Sequence, residues 1–258
     1  MKHKLSERQA CKFLKISRTA LRHQPKQVND TKIEKLLIEI SEWKPRWGCT
    51  KMYNYLRNQG YNWNHKKILR IYRQLGLNIK KKPKRRYPTR HPVPLFVPKH
   101  ANISWSMDFM SDSLDNGKKF RALNIIDDFN RECLEIEIDY SLPSLRVIRV
   151  LEKIAFWRGF PKQIRLDNGP EYISKKLMEW AEKRNIHLAY IQPGKPAQNG
   201  YVERFNRTYR EDILDAYIFS SLEEVRLLTQ DWVEEYNSIR PHDSLQGVSP
   251  HQFVALHT

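Results

Sequence analysis

Cysteine is scarce in this chain of 258 residues. There are three (Cys11, Cys49 and Cys133), far apart and odd in number. A disulfide framework is therefore not expected, and the close-paired His/Cys spacing of a structural zinc site is missing. Long apolar runs are missing too. No stretch approaches the roughly 18 apolar residues of a membrane span. The opening Met-Lys-His-Lys-Leu-Ser-Glu-Arg has no apolar segment of the secretory kind. The expected setting is a reducing cytoplasm, with no membrane and no zinc. Internal repeats at solenoid periods are absent as well. Acidic residues are few where basic ones are many: residues 1–100 hold 26 Lys+Arg and 5 Asp+Glu, a balance of +21. The other 158 residues hold 20 Lys+Arg and 24 Asp+Glu, a balance of −4, and the whole chain carries +17. One part is suited to gripping a polyanion and the other is near-neutral. Helical periodicity and aromatics in the basic part set it apart from a solvated tail or a membrane-surface segment.

Along the first 79 residues the pattern is helical. Residues 5–24 read as two short helices broken near Ile16-Ser17, with Ser17 as an N-cap. A longer helix follows from Asp30 to Trp43, with Ile33, Leu36, Leu37 and Ile40 on one face. Thr50–Asn58 and Asn64–Leu75, joined through Gln59-Gly60-Tyr61, have the dimensions of a helix-turn-helix. The second of these carries His65, Lys66, Lys67, Arg70 and Arg73, a basic face suited to a nucleic-acid groove. A helical hairpin that only packs against its neighbour is the plainer alternative. Residues 80–98 combine Lys80, Lys81, Lys82, Lys84, Arg85, Arg86 and Arg90 with five prolines. Proline at that density excludes a helix or a central strand, leaving an extended linker whose charge can track phosphates.

From residue 99 the periodicity turns strand-like. Strands are expected at residues 102–110, 120–127 and 132–139, then a helix over Ser144–Arg158 and a strand over Gln163–Leu166. A helix over Ser174–Asn185, a strand over His187–Ile191 and a helix holding Glu203 follow. Three antiparallel strands followed by βαβ elements give an α/β mixed sheet with helices on both faces. Residues 216–258 read as a helical extension, opened by the capping signal Ser221-Leu-Glu-Glu224 and packed through Val225, Leu228, Trp232 and Tyr236.

Three acidic residues stand out. Asp108 lies on the first strand, in Trp-Ser-Met-Asp-Phe-Met; Asp167 ends a short apolar strand and opens into Asn168-Gly169-Pro170; Glu203 lies on the later helix, with 35 residues between it and Asp167. Two strand ends and a helix can bring three carboxylates to one point, where they repel unless a cation lies between them. Oxygen ligands with no Cys or His nearby suit Mg²⁺ or Mn²⁺, and a pair of such ions suits in-line phosphoryl transfer. On the Glu203 helix, Asn199, Arg207 and Arg210 share its face. The two arginines could clamp phosphates beside a metal-bound carboxylate; a surface Glu–Arg pair is the alternative. Lys195, in the loop before the helix, is a candidate phosphate contact. Asp127 and Asp128 are read as end-of-strand turn residues, and Glu171 as a charge at the start of a helix.

The strings WSMDFM, LDNGPEY, PGKPAQNGYVERFNRTYRED and YNSIRPHDSL resemble the bacterial insertion-sequence transposases of the IS-three type. The likeness is to the catalytic subunit encoded by the second reading frame, in the retroviral-integrase-like DDE superfamily, and covers nearly the whole chain. It implies a ribonuclease-H-like five-stranded sheet of order 3-2-1-4-5 in an integrase core over residues 99–215. It implies Asp108, Asp167 and Glu203 as catalytic metal ligands, with two Mg²⁺ ions per site and Mn²⁺ as a substitute. Arg210 matches the basic residue that the family places two turns after its glutamate. DNA contacts are expected at Arg210, Arg207, Lys195, Asn199, Lys66, Lys67, Arg70, Lys81, Lys82, Arg85 and Arg86. The implied partners are double-stranded DNA (element ends and target), further copies of the chain on DNA, and an upstream-frame protein as fusion or partner. The implied place is the bacterial nucleoid. An inactive DNA-binding regulator or relic of a transposase is the competing reading.

Overall fold

The computed structural model describes residues 6–23, 30–79, 96–169, 171–192 and 199–257. The charged linker with Lys81, Lys82, Arg85 and Arg86, and the loop residue Lys195, lie outside them. Five helices come first: α1 (Glu7–Phe13), α2 (Arg18–Leu21), α3 (Thr31–Trp43), α4 (Cys49–Asn58) and α5 (His65–Gln74). The apolar face expected on α3 closes against α4 and α5. Ile33, Leu37 and Ile40 pack with Trp47, Met52, Leu56, Ile68, Ile71 and Tyr72 in one buried cluster.

The sheet has five strands, β1 (Ser104–Ser113), β2 (Lys119–Asp127), β3 (Cys133–Asp139), β4 (Gln163–Leu166) and β5 (His187–Tyr190), in the order β3-β2-β1-β4-β5. The first three pair antiparallel, and β4 and β5 run parallel to β1. This is the ribonuclease-H-like order. Side-chain alternation on β1 divides the core in two. Trp105 and Met107 pack with α6 (Ser144–Arg158) and α7 (Lys175–Lys183) through Val147, Leu151, Ile154 and Leu177. Met110, on the opposite face, packs with α8 (Gly200–Tyr209) and α9 (Leu222–Ser238) through Val202, Phe205, Tyr209, Trp232 and Tyr236. Trp232 and Tyr236 are thus core residues, as their spacing suggested. The sequence pattern did not show that α8 runs on into a π-helical turn, Arg210–Leu214. A short α10 (Pro250–His257) follows.

The outer strand β3 is tied to α9 by Arg226, which donates to the Ile138 carbonyl, and by Asn237. Asn237 accepts from the Cys133 N–H at 2.9 Å and donates to the Cys133 carbonyl, also at 2.9 Å. Asn237→Ala leaves two buried backbone groups unpaired and should cost about 2–4 kcal/mol. A urea midpoint that falls with an unchanged m-value checks it.

His242 is half-buried, with its Nε2 enclosed and its ring edge-on to Tyr236, and this desolvation, followed by the charges of Arg240 and Lys51, pushes its pKa down to about 3. Below about pH 6.5 the unfolded chain takes up a proton on this ring that the folded chain refuses, so stability falls with falling pH. Wild type should lose stability relative to His242→Phe by up to about 1.4 kcal/mol per pH unit between pH 6.5 and 3. Paired urea titrations across that range would show parallel curves if the ring were not held neutral.

Candidate active site

The parallel ladder pairs Ser104 with Gln163, Trp105 with Ile164 and Ser106 with Arg165. The same offset carried two residues further sets Asp108 beside Asp167, just past the end of β4 at Leu166. The turn that follows aims the second carboxylate. Gly169 N–H donates to Asp167 Oδ1 at 2.9 Å, and Asn168 Nδ2 donates to the Ile191 carbonyl at 3.0 Å. A Cβ on Gly169 would stand 3.0 Å from that same Oδ1, which favours glycine there. Glu203 is exposed in the first turn of α8, the helix that Val202, Phe205 and Tyr209 pin to the Asp108 face of the sheet.

Two asparagines complete the arrangement. Asn124 lies directly opposite Asp108 in the β1–β2 ladder and is fully buried. Asn206, one turn after Glu203, donates to Asp108 Oδ2 at 2.7 Å and accepts from Asn124 Nδ2 at 2.7 Å. The β2–α8–β1 chain therefore fixes one Asp108 oxygen, while Phe109 N–H holds the other at 2.8 Å. Sequence spacing drew attention to the Asn206 region but gave no sign of this bridge, because it depends on strand register. Tyr172, on the far side of the loop, is also fully buried and stacks on Phe109 at 4.9 Å. Its hydroxyl has no hydrogen-bond partner among the described residues. Burial, then Asp108 and Asp167, push its pKa up.

Asp108, half-buried, differs from the buried carboxylates in what balances it. Burial raises its pKa to about 6; Phe109 N–H pulls the other way, and Asp167 and Glu203 push it further up. No lysine or arginine pairs with Asp108, Asp167 or Glu203 among the described residues. Asp127, by contrast, binds Arg158 at 3.2 Å and the N–H groups of Asn102 and Phe129. Asp128 accepts from Ser104 Oγ and Ser106 Oγ and faces Arg165 at 3.3 Å. Those two are satisfied turn residues. A desolvated carboxylate flanked by two more, with only neutral donors, is the donor set that a hard divalent cation fits. As they stand, no three such side chains among the described residues form a group able to hold a metal ion. The electrostatic contact is in place and the coordination shell is not closed.

The basic residues distribute unevenly. Arg210 donates to the Ser111 carbonyl and pairs with Asp112 at 3.2 Å and Asp215 at 3.7 Å, so it braces the end of β1 against the π-helical turn. Asn199 is 2% exposed at the start of α8 and turned away from solvent. Arg207 is exposed. Glu171 pairs with Arg121 in the turn ahead of α7 rather than at its first residue. On α5, Lys66, Arg70 and Arg73 are exposed, and Lys67 and Arg70 both hold Asp30, at the start of α3.

The helical unit leaves that basic face free because it docks through α4 and the α3–α4 turn. Lys44 pairs with Glu235, and Asn58 donates to the Gly247 carbonyl at 2.9 Å. A Cβ on Gly247 would come within 2.6 Å of the Asn54 side chain. Lys51 is buried at the same seam, which lowers its pKa to about 8.

Comparison with known proteins agrees with this layout. The Integrase core domain family matches residues 98–196, a second Integrase core domain family matches residues 184–250, and an HTH-like domain matches residues 27–87. The Xanthomonas euvesicatoria protein named "Insertion element IS476 uncharacterized 39.2 kDa protein" is 37% identical over 97% of this chain and 73% of its own length. The Escherichia coli "Transposase InsF for insertion sequence IS3A" is 24% identical over 92% of this chain and 85% of its own length. Among solved structures, the magnesium complex of the HTLV-2 integrase catalytic core domain (trimeric form) is 18% identical with a TM-score of 0.47, covering 62% of this chain and 99% of that one. The chain belongs to the integrase-core transposases of bacterial insertion sequences, of the IS-three type.

The asparagine bridge has a measurable consequence. Asn206→Ala frees Asp108 Oδ2 from its one side-chain donor and should lower DNA strand joining about 10–100-fold. The variant also leaves the buried Asn124 Nδ2 without its acceptor, at a cost of about 1–3 kcal/mol, so joining is compared well below the lowered thermal transition. Equal joining rates in variant and wild type would remove the bridge from the site.

Proposed function

We propose that this chain cuts the ends of its insertion element and joins them to target DNA, with Asp108, Asp167 and Glu203 holding two divalent ions. Mg²⁺ is the expected metal and Mn²⁺ a substitute. The observation that carries this reading is Asp108 itself: half-buried, opposite Asn124 in the β1–β2 ladder, raised in pKa by burial and by the charges of Asp167 and Glu203, and paired with no basic side chain among the described residues. When bound, the ions screen the phosphate charge, activate the attacking oxygen and stabilise the leaving one. The protein's part is placement. Asp108, fixed through both oxygens by Phe109 N–H and Asn206, would hold the ions together with Asp167 and Glu203. None of the three needs to give up a proton. With water as nucleophile the product is a nick with a free 3′-OH, and that 3′-OH attacking a second phosphodiester gives strand transfer in the same geometry.

DNA would be held by α5 through Lys66, Lys67, Arg70 and Arg73, by Arg207 beside the site, and by the linker and Lys195. Arg210 has two acidic partners and acts through them as a brace, so its contribution is support for α8 rather than a direct clamp. Residues 1–79 then serve DNA binding, 80–98 the link, 99–215 the chemistry and 216–258 the seating of the first part on the third. Strand transfer must hold two ends together, so the chain works as a multimer on DNA, with an upstream-frame protein as fusion or partner, in the bacterial cytoplasm at the nucleoid. No helix among the described residues is long and apolar enough to cross a membrane.

The ligand group that is not closed as it stands also suits a relic that binds DNA without cutting it. One assay separates the two. A plasmid carrying the gene with its native flanks is incubated with wild type, Asp108→Asn or Glu203→Gln, in Mg²⁺, Mn²⁺, Ca²⁺ or EDTA. Nicking or joining at the flanks should need Mg²⁺ or Mn²⁺ and drop at least about 1,000-fold in each variant, while salt-sensitive DNA binding stays equal. Equal binding with no cleavage by wild type, repeated with the upstream-frame fusion, would establish the relic.

A further inference from the structure

The HTH-like match begins at residue 27, so α1 and α2 lie before it. They nevertheless form a defined unit. Ser6 and Gln9 close a capping box at the start of α1, with Gln9 N–H on Ser6 Oγ at 3.3 Å and Ser6 N–H on Gln9 Oε1 at 3.0 Å. The chain then reverses at Lys15, whose φ of 55° is left-handed, and Ile16 N–H reaches back to the Cys11 carbonyl at 3.0 Å. Ser17 Oγ accepts from Ala20 N–H at 3.0 Å and starts α2. Arg22 grips both oxygens of Glu7 at 2.9 and 3.1 Å, tying the end of the second helix to the start of the first. Two capped helices joined by the four residues 14–17 have the connection length of a helix-turn-helix.

The charge on this unit is one-sided. Residues 6–23 contain five Lys/Arg and one acid, Glu7, which Arg22 occupies. Arg8, Lys12, Lys15 and Arg18 are exposed with no ion-pair partner among the described residues, and every residue of α2 is exposed. Tethering places the unit. Only residues 24–29 separate it from Asp30, and Asp30 is the acid that binds Lys67 and Arg70 of α5. Seven chain steps span at most roughly 25 Å, less than one duplex turn of about 34 Å. The tether thus keeps the cations of α1–α2 within about one duplex turn of Asp30, the acid that binds α5.

We propose that α1–α2 is a second helix-turn-helix that binds duplex DNA next to the segment held by α5, with Arg18 and Thr19 at the head of α2 facing the groove and Lys12 and Lys15 on phosphates. It rests on the DNA-binding reading above and adds a second contact unit to it. Phe13, Leu14, Ile16 and Leu21 are exposed as well, at 84%, 65%, 43% and 55%, and could bury against a second copy. The four unpaired cations around them disfavour an identical partner and favour a polyanion.

The test is hydroxyl-radical footprinting of the full chain on duplex carrying the element end, with affinity measured against salt. Lys12→Ala/Lys15→Ala/Arg18→Ala is compared with Lys66→Ala/Arg73→Ala and wild type, all with matched thermal unfolding. The triple variant should lose protection over one segment adjoining the segment lost by the α5 variant. Its affinity should fall about 10–100-fold near 0.1 M salt, and its log–log salt slope should be shallower by about 2–3. An unchanged footprint and slope in the triple variant, while the α5 variant loses protection, overturns the inference and leaves the DNA-binding reading intact. An unchanged footprint with a changed mass in light scattering overturns it in favour of self-association. No protection by wild type at all overturns both.

Discussion

The register of β1 decides where everything else in the catalytic part can be. One edge of this strand runs antiparallel to β2, which sets Asn124 opposite Asp108; the other runs parallel to β4, which brings Asp167 alongside. Both pairings must hold at once. A slip of one residue on either side would turn the carboxylates to opposite faces of the sheet. Asn206 adds the third dimension, joining Asn124 and Asp108 to the helix that carries Glu203. Asp108 and Glu203 are thus placed by β1 and α8, and Asp167 by the turn one residue past β4.

The desolvated acids of this fold are balanced in two different ways. Asp127, Asp128 and Glu132 are matched by Arg158 and Arg165 within a few ångströms, with hydroxyls and backbone N–H groups on the remaining oxygens. Such pairing gives a buried charge little freedom and no spare valence. Asp108 is left with neutral donors, two neighbouring acids and a pKa raised to about 6. Keeping a carboxylate charged in that state costs stability. Arg210, by contrast, keeps part of its side chain exposed while its guanidinium is shared between Asp112 and Asp215.

Much of this was legible in the residues alone. Strand alternation, the capping serines Ser17, Ser174 and Ser221, and the apolar face of α3 each express a local rule, and the elements lie where those rules put them. The three acids were legible for the same reason, since each stands at a strand or helix position that its neighbours define. What was hidden depends on residues distant in sequence. The Asn124–Asn206 bridge spans 82 residues and the Lys44–Glu235 pair 191. Helical spacing placed Asn199 on the Glu203 face, but spacing says nothing about whether the start of a helix is buried, and here it is.

The seam between α4 and the C-terminal segment explains how a chain with a long charged linker can still present two functions in a fixed relation. Lys44 and Asn58 bind Glu235 and the Gly247 carbonyl, and Gly247 is a glycine whose φ of 86° and contact with Asn54 leave no room for a side chain. These contacts use the α4 side of the helical unit, so the cations of α5 remain exposed. Glu235 lies on α9, whose Trp232 and Tyr236 pack on Phe205 of α8, two residues beyond Glu203. A continuous packed path therefore runs from the helical unit through α9 to the helix bearing the third acid. Held this way, the distance from the α5 face to Asp108 is a property of the fold rather than of the linker. A DNA end gripped by α5 would then meet the carboxylates at a set number of base pairs from its grip.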